Sequence, residues 1–92
     1  MTDKPKRIRR HPRREEIIAA GHASERHPYL DMPTIAKLCG VRSVTPHVWR
    51  YRGVMPDHDI VVAGRPMWQL DRILWWITET NRWPQTRAEA AA

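Results

Sequence analysis

The chain has 92 residues, a formal net charge of +6 at pH 7 and a hydrophobic fraction of 41%. This length predicts one small domain with tails and is too short for most enzymes. No apolar stretch approaches the roughly 18 residues that a transmembrane helix needs, and the basic N-terminus lacks the apolar run of a secretory signal. The single cysteine, Cys39, excludes an intrachain disulfide, so we expect a cytoplasmic protein.

The surplus of positive charge lies at the N-terminus. Residues 1–14 contain seven basic residues and one acidic residue, whereas the rest of the chain contains nine of each sign. The basic residues are Lys4, Lys6, Arg7, Arg9, Arg10, Arg13 and Arg14. Repulsion between them, together with Pro5 and Pro12, predicts a basic, partly disordered arm over residues 1–28, with a short helix over 13–20 that ends at Gly21. Such an arm contacts DNA phosphates, binds RNA or only aids solubility, and the sequence leaves these alternatives open.

The first helix after the arm has clear signals at both ends. Asp31 is a good N-cap, and Pro33 falls in the first turn, where no amide donor is required. Gly40 suits the left-handed position that ends a helix. The apolar face consists of Ile35, Leu38 and Cys39. This spacing predicts a helix over roughly residues 32–39.

A second short helix follows after a tight turn. Ser43 or Thr45 is its predicted N-cap, Pro46 suits its first turn, and Gly53 closes it after about Arg52. Two short helices joined by a turn that contains glycine form a helix-turn-helix unit, whose second helix can lie in the major groove of DNA.

The next segment has the pattern of a β-hairpin. Residues 60–62 are β-branched, Gly64 provides a turn, and residues 66–68 return as a second strand. Pro66 has no amide hydrogen to donate, so this returning strand is predicted to lie at an edge.

The last predicted helix begins at Leu70 and Asp71, with Asp71 as its N-cap. Its core-facing residues are Ile73, Trp76, Ile77 and Thr80. The predicted fold is therefore mainly α with a small β-hairpin, in the order α-α-β-β-α over residues 29–83, followed by a disordered tail over 84–92.

Seventeen residues of the predicted helices, hairpin and connecting turns carry a family resemblance. They are Tyr29, Leu30, Ile35, Ala36, Leu38, Gly40, Val41, Thr45, Trp49, Arg52, Gly53, Pro56, Gly64, Arg65, Pro66, Trp68 and Trp76. Their order and spacing over residues 29–83 resemble the winged helix-turn-helix proteins of the excisionase and MerR-like group, common in bacteria and their phages. The chain departs from that pattern at Pro46, where an aliphatic residue is usual, and in lacking the long C-terminal coiled coil of MerR activators. The resemblance therefore favours excisionase-like binding to DNA over MerR-type dimerisation and effector sensing.

The resemblance also implies which residues face DNA. They are Arg42, Ser43, Val44, Thr45, His47, Val48, Arg50, Tyr51 and Arg52, with Arg65 at the tip of the hairpin. Residues 42–52 contain three arginines, one histidine and no acidic residue, which is the charge that a phosphate-facing helix needs. Arg42 can read guanine and Val48 can meet a thymine methyl group, whereas Arg50 and Arg52 are assigned to phosphates. Arg65 is expected to hold a neighbouring phosphate or to enter the minor groove.

The five tryptophans are expected to differ in role. Trp49, Trp68 and Trp76 fall where the core of the domain closes. Trp75 and Trp83 fall away from the apolar face of the last helix, where an exposed ring indicates a protein contact. That contact would be self-association or a partner such as a recombinase.

The sequence contains no clear catalytic or metal-binding pattern. Asp57, His58 and Asp59 are adjacent, and adjacent loop residues seldom converge on one ion. The chain has no glycine-rich phosphate loop, nucleophile elbow or triad signature. We therefore expect no metal, no cofactor and no enzymatic activity.

The expected function is sequence-preferring binding to double-stranded DNA, as an excisionase-like recombination directionality factor or a small transcriptional regulator. A single module of this type buries only about 600–1,000 Å² of protein surface, so tight binding calls for self-association on DNA or a dimer. The alternative is a protein-interaction module that keeps the winged-helix scaffold and binds a partner through its tryptophan-rich last helix.

Overall fold

A computed structural model describes residues 8–84, which form four α-helices and a three-stranded antiparallel sheet. The elements are α1 (Arg14–Ala19), β1 (Tyr29–Asp31), α2 (Met32–Cys39), α3 (Thr45–Tyr51), β2 (Ile60–Val62), β3 (Arg65–Gln69) and α4 (Leu70–Glu79). The predicted helices and the hairpin are present in the predicted order. Strand β1 is an addition, because a strand of three residues is too short to show an alternating pattern. No helix in this part of the chain is long and apolar enough to span a membrane.

Strand β3 is the centre of the sheet, with β1 on one side and β2 on the other. The pair Val62↔Arg65 closes the hairpin of β2 and β3, and the pairing of β1 with β3 ends at Asp31↔Met67. The prediction that Pro66 lies in an edge strand is therefore wrong. Pro66 is tolerated in the central strand because it lies past the last β1 pair, so no strand residue on that side requires its missing amide.

The hydrophobic core lies where α2 and α4 cover the sheet, and α1 adds Ile17 to it. The fully buried side chains are Leu30, Ile35, Pro46, Trp68, Leu70, Ile73, Leu74 and Ile77. The indole nitrogen of Trp68 donates to the carbonyl of Pro56 at 2.7 Å, so this buried ring has no unpaired polar group. Thr80 is exposed at the end of α4, contrary to its predicted core position, because α4 ends one residue earlier.

Helix α2 has the bounds and caps that the sequence predicts. The carboxylate of Asp31 accepts a hydrogen bond from the Thr34 amide at 3.0 Å. Gly40 ends the helix in the left-handed conformation, with φ of +68°, and a Cβ atom there would lie 3.1 Å from Pro84. Only glycine adopts this conformation without strain.

Helix α3 begins without the predicted cap. Neither Ser43 nor Thr45 caps it, since the residue at that position is Val44, whose side chain cannot accept a hydrogen bond. The chain enters the helix through a turn in which the Thr45 amide donates to the Arg42 carbonyl at 2.9 Å. Pro46 lies in the first turn as predicted, where its missing amide hydrogen costs no hydrogen bond.

The prediction that Asp71 caps helix α4 is wrong, because the N-cap residue is Gln69. The Gln69 side chain accepts from the Arg72 amide at 2.8 Å. The Asp71 carboxylate instead accepts from the His11 amide at 2.9 Å and pairs with the Arg14 guanidinium at 2.5 Å. Two stronger partners from the N-terminal segment therefore take the place of the local helix amides.

The N-terminal segment, residues 8–28, packs on α4 through α1. Ile17 of α1 is buried in the core, and Gly21 follows the helix with φ of +87°. The packed unit therefore begins well before residue 29, the predicted start of the folded domain. Lys4, Lys6 and Arg7 of the predicted arm, and residues 85–92 of the predicted tail, lie outside the described residues.

Candidate nucleic-acid interface

Helix α3 packs one face against the rest of the protein and exposes the opposite face to solvent. Val44, His47, Val48 and Tyr51 follow the i, i+3, i+4, i+7 spacing of a single helix face, and all four are exposed. Tyr51 is 91% exposed, the highest value among the large hydrophobic residues. The outward face is therefore accessible over its whole length.

The opposite face of α3 is held by aromatic packing. Pro46 is fully buried, and the ring of Trp49 packs edge-on against Trp76 of α4 at 5.6 Å between centroids. The Arg82 guanidinium lies 4.8 Å from the Trp49 ring and 5.0 Å from the Trp76 ring. These contacts fix the rotation of α3 and so determine which residues point outward.

The arginines around α3 lack acidic partners in the part of the chain that the structure describes. Arg42, Arg50 and Arg52 are exposed, and none of them forms an ion pair with a residue in the range 8–84. The sequence explains this, because residues 32–56 contain no Asp or Glu. Arg50 has only a long contact of 3.4 Å with His58. The surface around α3 is therefore positively charged and open to an anion.

The hairpin adds Arg65 to the same side of the molecule as His47. Both residues line a cleft of about 260 Å³ between the hairpin turn, the start of α2 and α3. The Arg65 guanidinium is 70% exposed and lies 3.7 Å from the Asp31 carboxylate, a distance that leaves most of its donors free. Ser43 is also exposed in the turn before α3, whereas Thr45 is half-buried.

The described arginines of the predicted arm differ in how far they are engaged within the protein. Arg10 lies 3.7 Å from Glu15 and is 68% exposed, so most of its donors are free, whereas Arg13 pairs with Glu16 at 2.7 Å. Arg14 is buried, with its guanidinium paired to both Asp71 and Glu25. The expectation that Arg14 contacts DNA is therefore corrected: its side chain is only 8% exposed, and its charge is already neutralised by two carboxylates.

Trp75 and Trp83 have partners within the chain. The Arg9 guanidinium lies 4.4 Å from the Trp75 ring, and the Trp75 indole nitrogen donates to the Arg9 carbonyl at 2.9 Å. The Arg13 guanidinium lies 4.0 Å from the Trp83 ring. Both tryptophans are half-buried, because the N-terminal segment covers them.

His11 joins the N-terminal segment to α4, and sequence reasoning did not find this residue. Its Nδ1 atom accepts from the Arg13 amide at 3.0 Å, so the ring proton lies on Nε2, which donates to Thr78 at 2.7 Å. Burial lowers the pKa of His11, against the opposing effect of the Asp71 carboxylate. The ring is therefore held neutral. Its side-chain partner on α4 is 67 residues away in sequence, and no local pattern reveals it.

No described group of residues has the arrangement of a metal site or a reactive thiol. Within residues 8–84, no cluster of three His, Cys, Asp or Glu side chains could hold an ion. Asp59 pairs with Arg72 at 3.2 Å and accepts from the Gln69 amide, so its role is structural. Cys39 is buried, and burial raises the pKa of its thiol to about 11, which suppresses the thiolate.

Comparison of the chain with family models, with curated proteins and with solved structures finds no match in any of the three. The features of residues 8–84 that bear on function are an exposed helix face, surrounding arginines that have no acidic partner within that range, and a hairpin arginine on the same side.

Proposed function

We propose that the protein is a non-enzymatic, sequence-preferring double-stranded DNA-binding protein in which α3 lies in the major groove. In this proposal α2 and α3 form a helix-turn-helix, and the hairpin of β2 and β3 is its wing. The supporting observation is that Arg42, Arg50 and Arg52 surround an exposed helix face and have no acidic partner among residues 8–84. A positively charged helix of this kind suits a polyanion better than a protein surface of mixed charge.

The residues have different roles in the proposed complex. Arg42, in the turn before α3, reads a base edge, and His47 on the outward face does the same. Arg50 and Arg52, at the end of α3, hold phosphates, and Arg65 of the wing holds another phosphate or enters the minor groove. Lys4, Lys6 and Arg7 supply further backbone contacts, and Arg10 is exposed enough to join them. Arg13 and Arg14 pair with carboxylates within the protein.

The biological role follows from the small size of the interface. One module buries about 600–1,000 Å² of protein surface on DNA, so several copies bound side by side, or a dimer, are needed for tight binding. This suits an excisionase-like recombination directionality factor, with a recombinase as partner, or a small transcriptional regulator in the bacterial cytoplasm.

The alternative, a protein-interaction module built on the last helix, has less support. It requires exposed tryptophans, whereas Trp75 and Trp83 are half-buried beneath Arg9 and Arg13. A partner would first have to displace the N-terminal segment.

Two single substitutions test the proposed roles. Arg42→Ala is expected to weaken binding to the preferred duplex by about 1–3 kcal/mol and to relax sequence preference, because it removes a base contact. Arg50→Ala is expected to weaken all duplexes alike and to lower the slope of log K against log salt by about one, because it removes a phosphate contact. Fluorescence anisotropy titrations at several salt concentrations measure both effects.

Arg26→Ala is the matched control, since it removes the same charge from an exposed residue in the loop between α1 and β1. It is expected to bind as the unaltered protein does. If Arg42→Ala and Arg50→Ala also bind normally, α3 is not the DNA-binding element.

A further inference from the structure

Helix α3 exposes apolar side chains in the middle of a basic surface. Val44, the N-cap residue of α3, is 52% exposed, and Val48 within the helix is 41% exposed, whereas Pro46 on the opposite face is fully buried. Arg42 lies just before this pair in sequence, and Arg50 and Arg52 lie just after it. Exposed apolar residues within a charged surface usually mark a contact site.

The two valines lie on the same side of the helix. The Val48 amide donates to the Val44 carbonyl at 3.3 Å, which places the residues one helical turn apart. Four residues rise about 6 Å along a helix axis. Base pairs are stacked about 3.4 Å apart, so the two side chains span at most about two base-pair steps.

The chemistry of valine limits what it can read in DNA. Its side chain has no hydrogen-bond donor or acceptor. In the major groove the distinctive apolar group is the C5-methyl of thymine. The neighbouring arginines have no acidic partner in the described chain, so the charge around the valines complements a polyanion and not an apolar protein surface.

We propose that Val44 and Val48 are specificity-determining residues that contact the C5-methyl groups of thymines within about two base-pair steps of each other. The preferred duplex therefore contains a thymine opposite each valine, and binding depends on the methyl groups themselves. This inference rests on the proposed function, in which α3 lies in the major groove.

The test uses random-sequence duplex pools synthesised with thymidine or with deoxyuridine, which lacks only the methyl group. Duplexes selected from the thymidine pool are resynthesised with deoxyuridine and titrated with the full chain. We expect affinity to fall roughly fourfold for each methyl group that a valine buries. Val44→Ala and Val48→Ala are each expected to bind the thymidine duplex more weakly and to lose the roughly fourfold sensitivity to deoxyuridine at the thymine that the removed valine contacts, while keeping it at the other thymine.

Val54 provides a matched control, because it lies after the end of α3 and is not among the residues assigned to DNA. It is 40% exposed, so Val54→Ala removes the same atoms from a site whose exposure is close to that of Val48. This control is expected to keep full affinity and full sensitivity to deoxyuridine. Circular dichroism checks that all three variants are folded.

The outcomes separate this inference from the proposed function. Selective binding that is equal for the thymidine and deoxyuridine duplexes overturns the role of the valines and leaves DNA binding by α3 intact. Undiminished deoxyuridine sensitivity in both Val44→Ala and Val48→Ala also overturns it. If no pool is bound, the proposed function and the inference both fail.

Discussion

Arg14 and Asp71 form a buried ion pair that joins the N-terminal segment to α4. Their side chains are 8% and 6% exposed, and the guanidinium also reaches Glu25 at 2.7 Å. Charges removed from water to this extent are tolerated only when they are paired, since desolvation of a lone charge costs several kcal/mol. The pair therefore anchors residues 8–14 to α4.

Removing one partner tests the importance of this pair. Asp71→Asn is expected to lower the free energy of unfolding by about 3 kcal/mol, because it leaves the buried Arg14 charge with only Glu25. Chemical denaturation followed by circular dichroism measures the change. Glu15→Gln, which removes the exposed partner of Arg10, is the control and is expected to cost less than about 1 kcal/mol. Equal losses in the two variants would contradict the assigned role of the buried pair.

His11 makes the free energy of unfolding depend on pH. Burial and the neighbouring Arg13 lower its pKa, and the carboxylates of Asp71 and Glu16 oppose this without reversing it. The unfolded chain therefore takes up a proton near the ordinary pKa of about 6.5, whereas the folded chain does so only at lower pH. The stability that His11 provides is complete above that value and is lost as the pH falls below it.

His11→Gln tests this effect, because glutamine keeps a donor for Thr78 and does not titrate in this range. The free energy of unfolding of the unaltered protein is expected to fall more between pH 7.5 and pH 5.5 than that of the variant. Urea denaturation at a series of pH values gives the two profiles. Parallel profiles would mean that His11 does not resist protonation in the folded state.

The hairpin turn between β2 and β3 contains an unusual alanine. Ala63 has φ of +51° and Gly64 has φ of +79°, so both central residues of this two-residue turn are left-handed. A turn of this kind favours asparagine followed by glycine, since asparagine tolerates positive φ better than alanine does. Alanine at position 63 therefore makes the turn before Arg65 less stable than asparagine would.

Ala63→Asn is expected to stabilise the protein by roughly 0.5–1 kcal/mol, because it relieves strain in the turn. Thermal denaturation should show a Tm raised by a few degrees. Ala63→Val is the control of opposite sign, since a β-branched residue at positive φ adds strain. An asparagine variant no more stable than the valine variant would contradict this description of the turn.

Elements with local signals were predictable from the sequence. Asp31 and Gly40 define the ends of α2 through contacts with residues close in sequence, and the predicted bounds are confirmed. The outward positions of α3 were implied by the family resemblance, and Val44, His47, Val48 and Tyr51 are exposed at helical spacing. Such features depend on a few neighbouring residues, whose chemistry is visible without the fold.

Features that depend on distant contacts were not predictable. Asp71 was predicted as a helix cap and Arg14 as an arm residue, yet the two pair across 57 residues. Trp75 falls outside the apolar helix face as predicted, but only the fold brings Arg9 over it. A carboxylate such as that of Asp71 can bind the amides of its own helix or a distant guanidinium. Only the folded structure shows which of these partners lies within reach.

At the scale of the whole molecule, two regions of the sequence carry a net positive charge. One is the N-terminus, where Lys4, Lys6 and Arg7 precede arginines that are engaged within the protein. The other is the stretch 32–56, which has no acidic residue and contains α3. In the proposed complex, the second region recognises the DNA sequence and the first region contributes only general attraction to the backbone.

The most direct measurement compares two triple variants that change the net charge equally. One replaces Arg42, Arg50 and Arg52 with alanine, and the other replaces Lys4, Lys6 and Arg7, so each removes three charges from the net +6. Both variants and the unaltered chain select duplexes from a random pool at two salt concentrations, and the bound DNA is sequenced. The account predicts that the N-terminal variant enriches the same motif with lower affinity, whereas the α3 variant enriches none. A motif that survives in the α3 variant and disappears in the N-terminal variant would contradict the account.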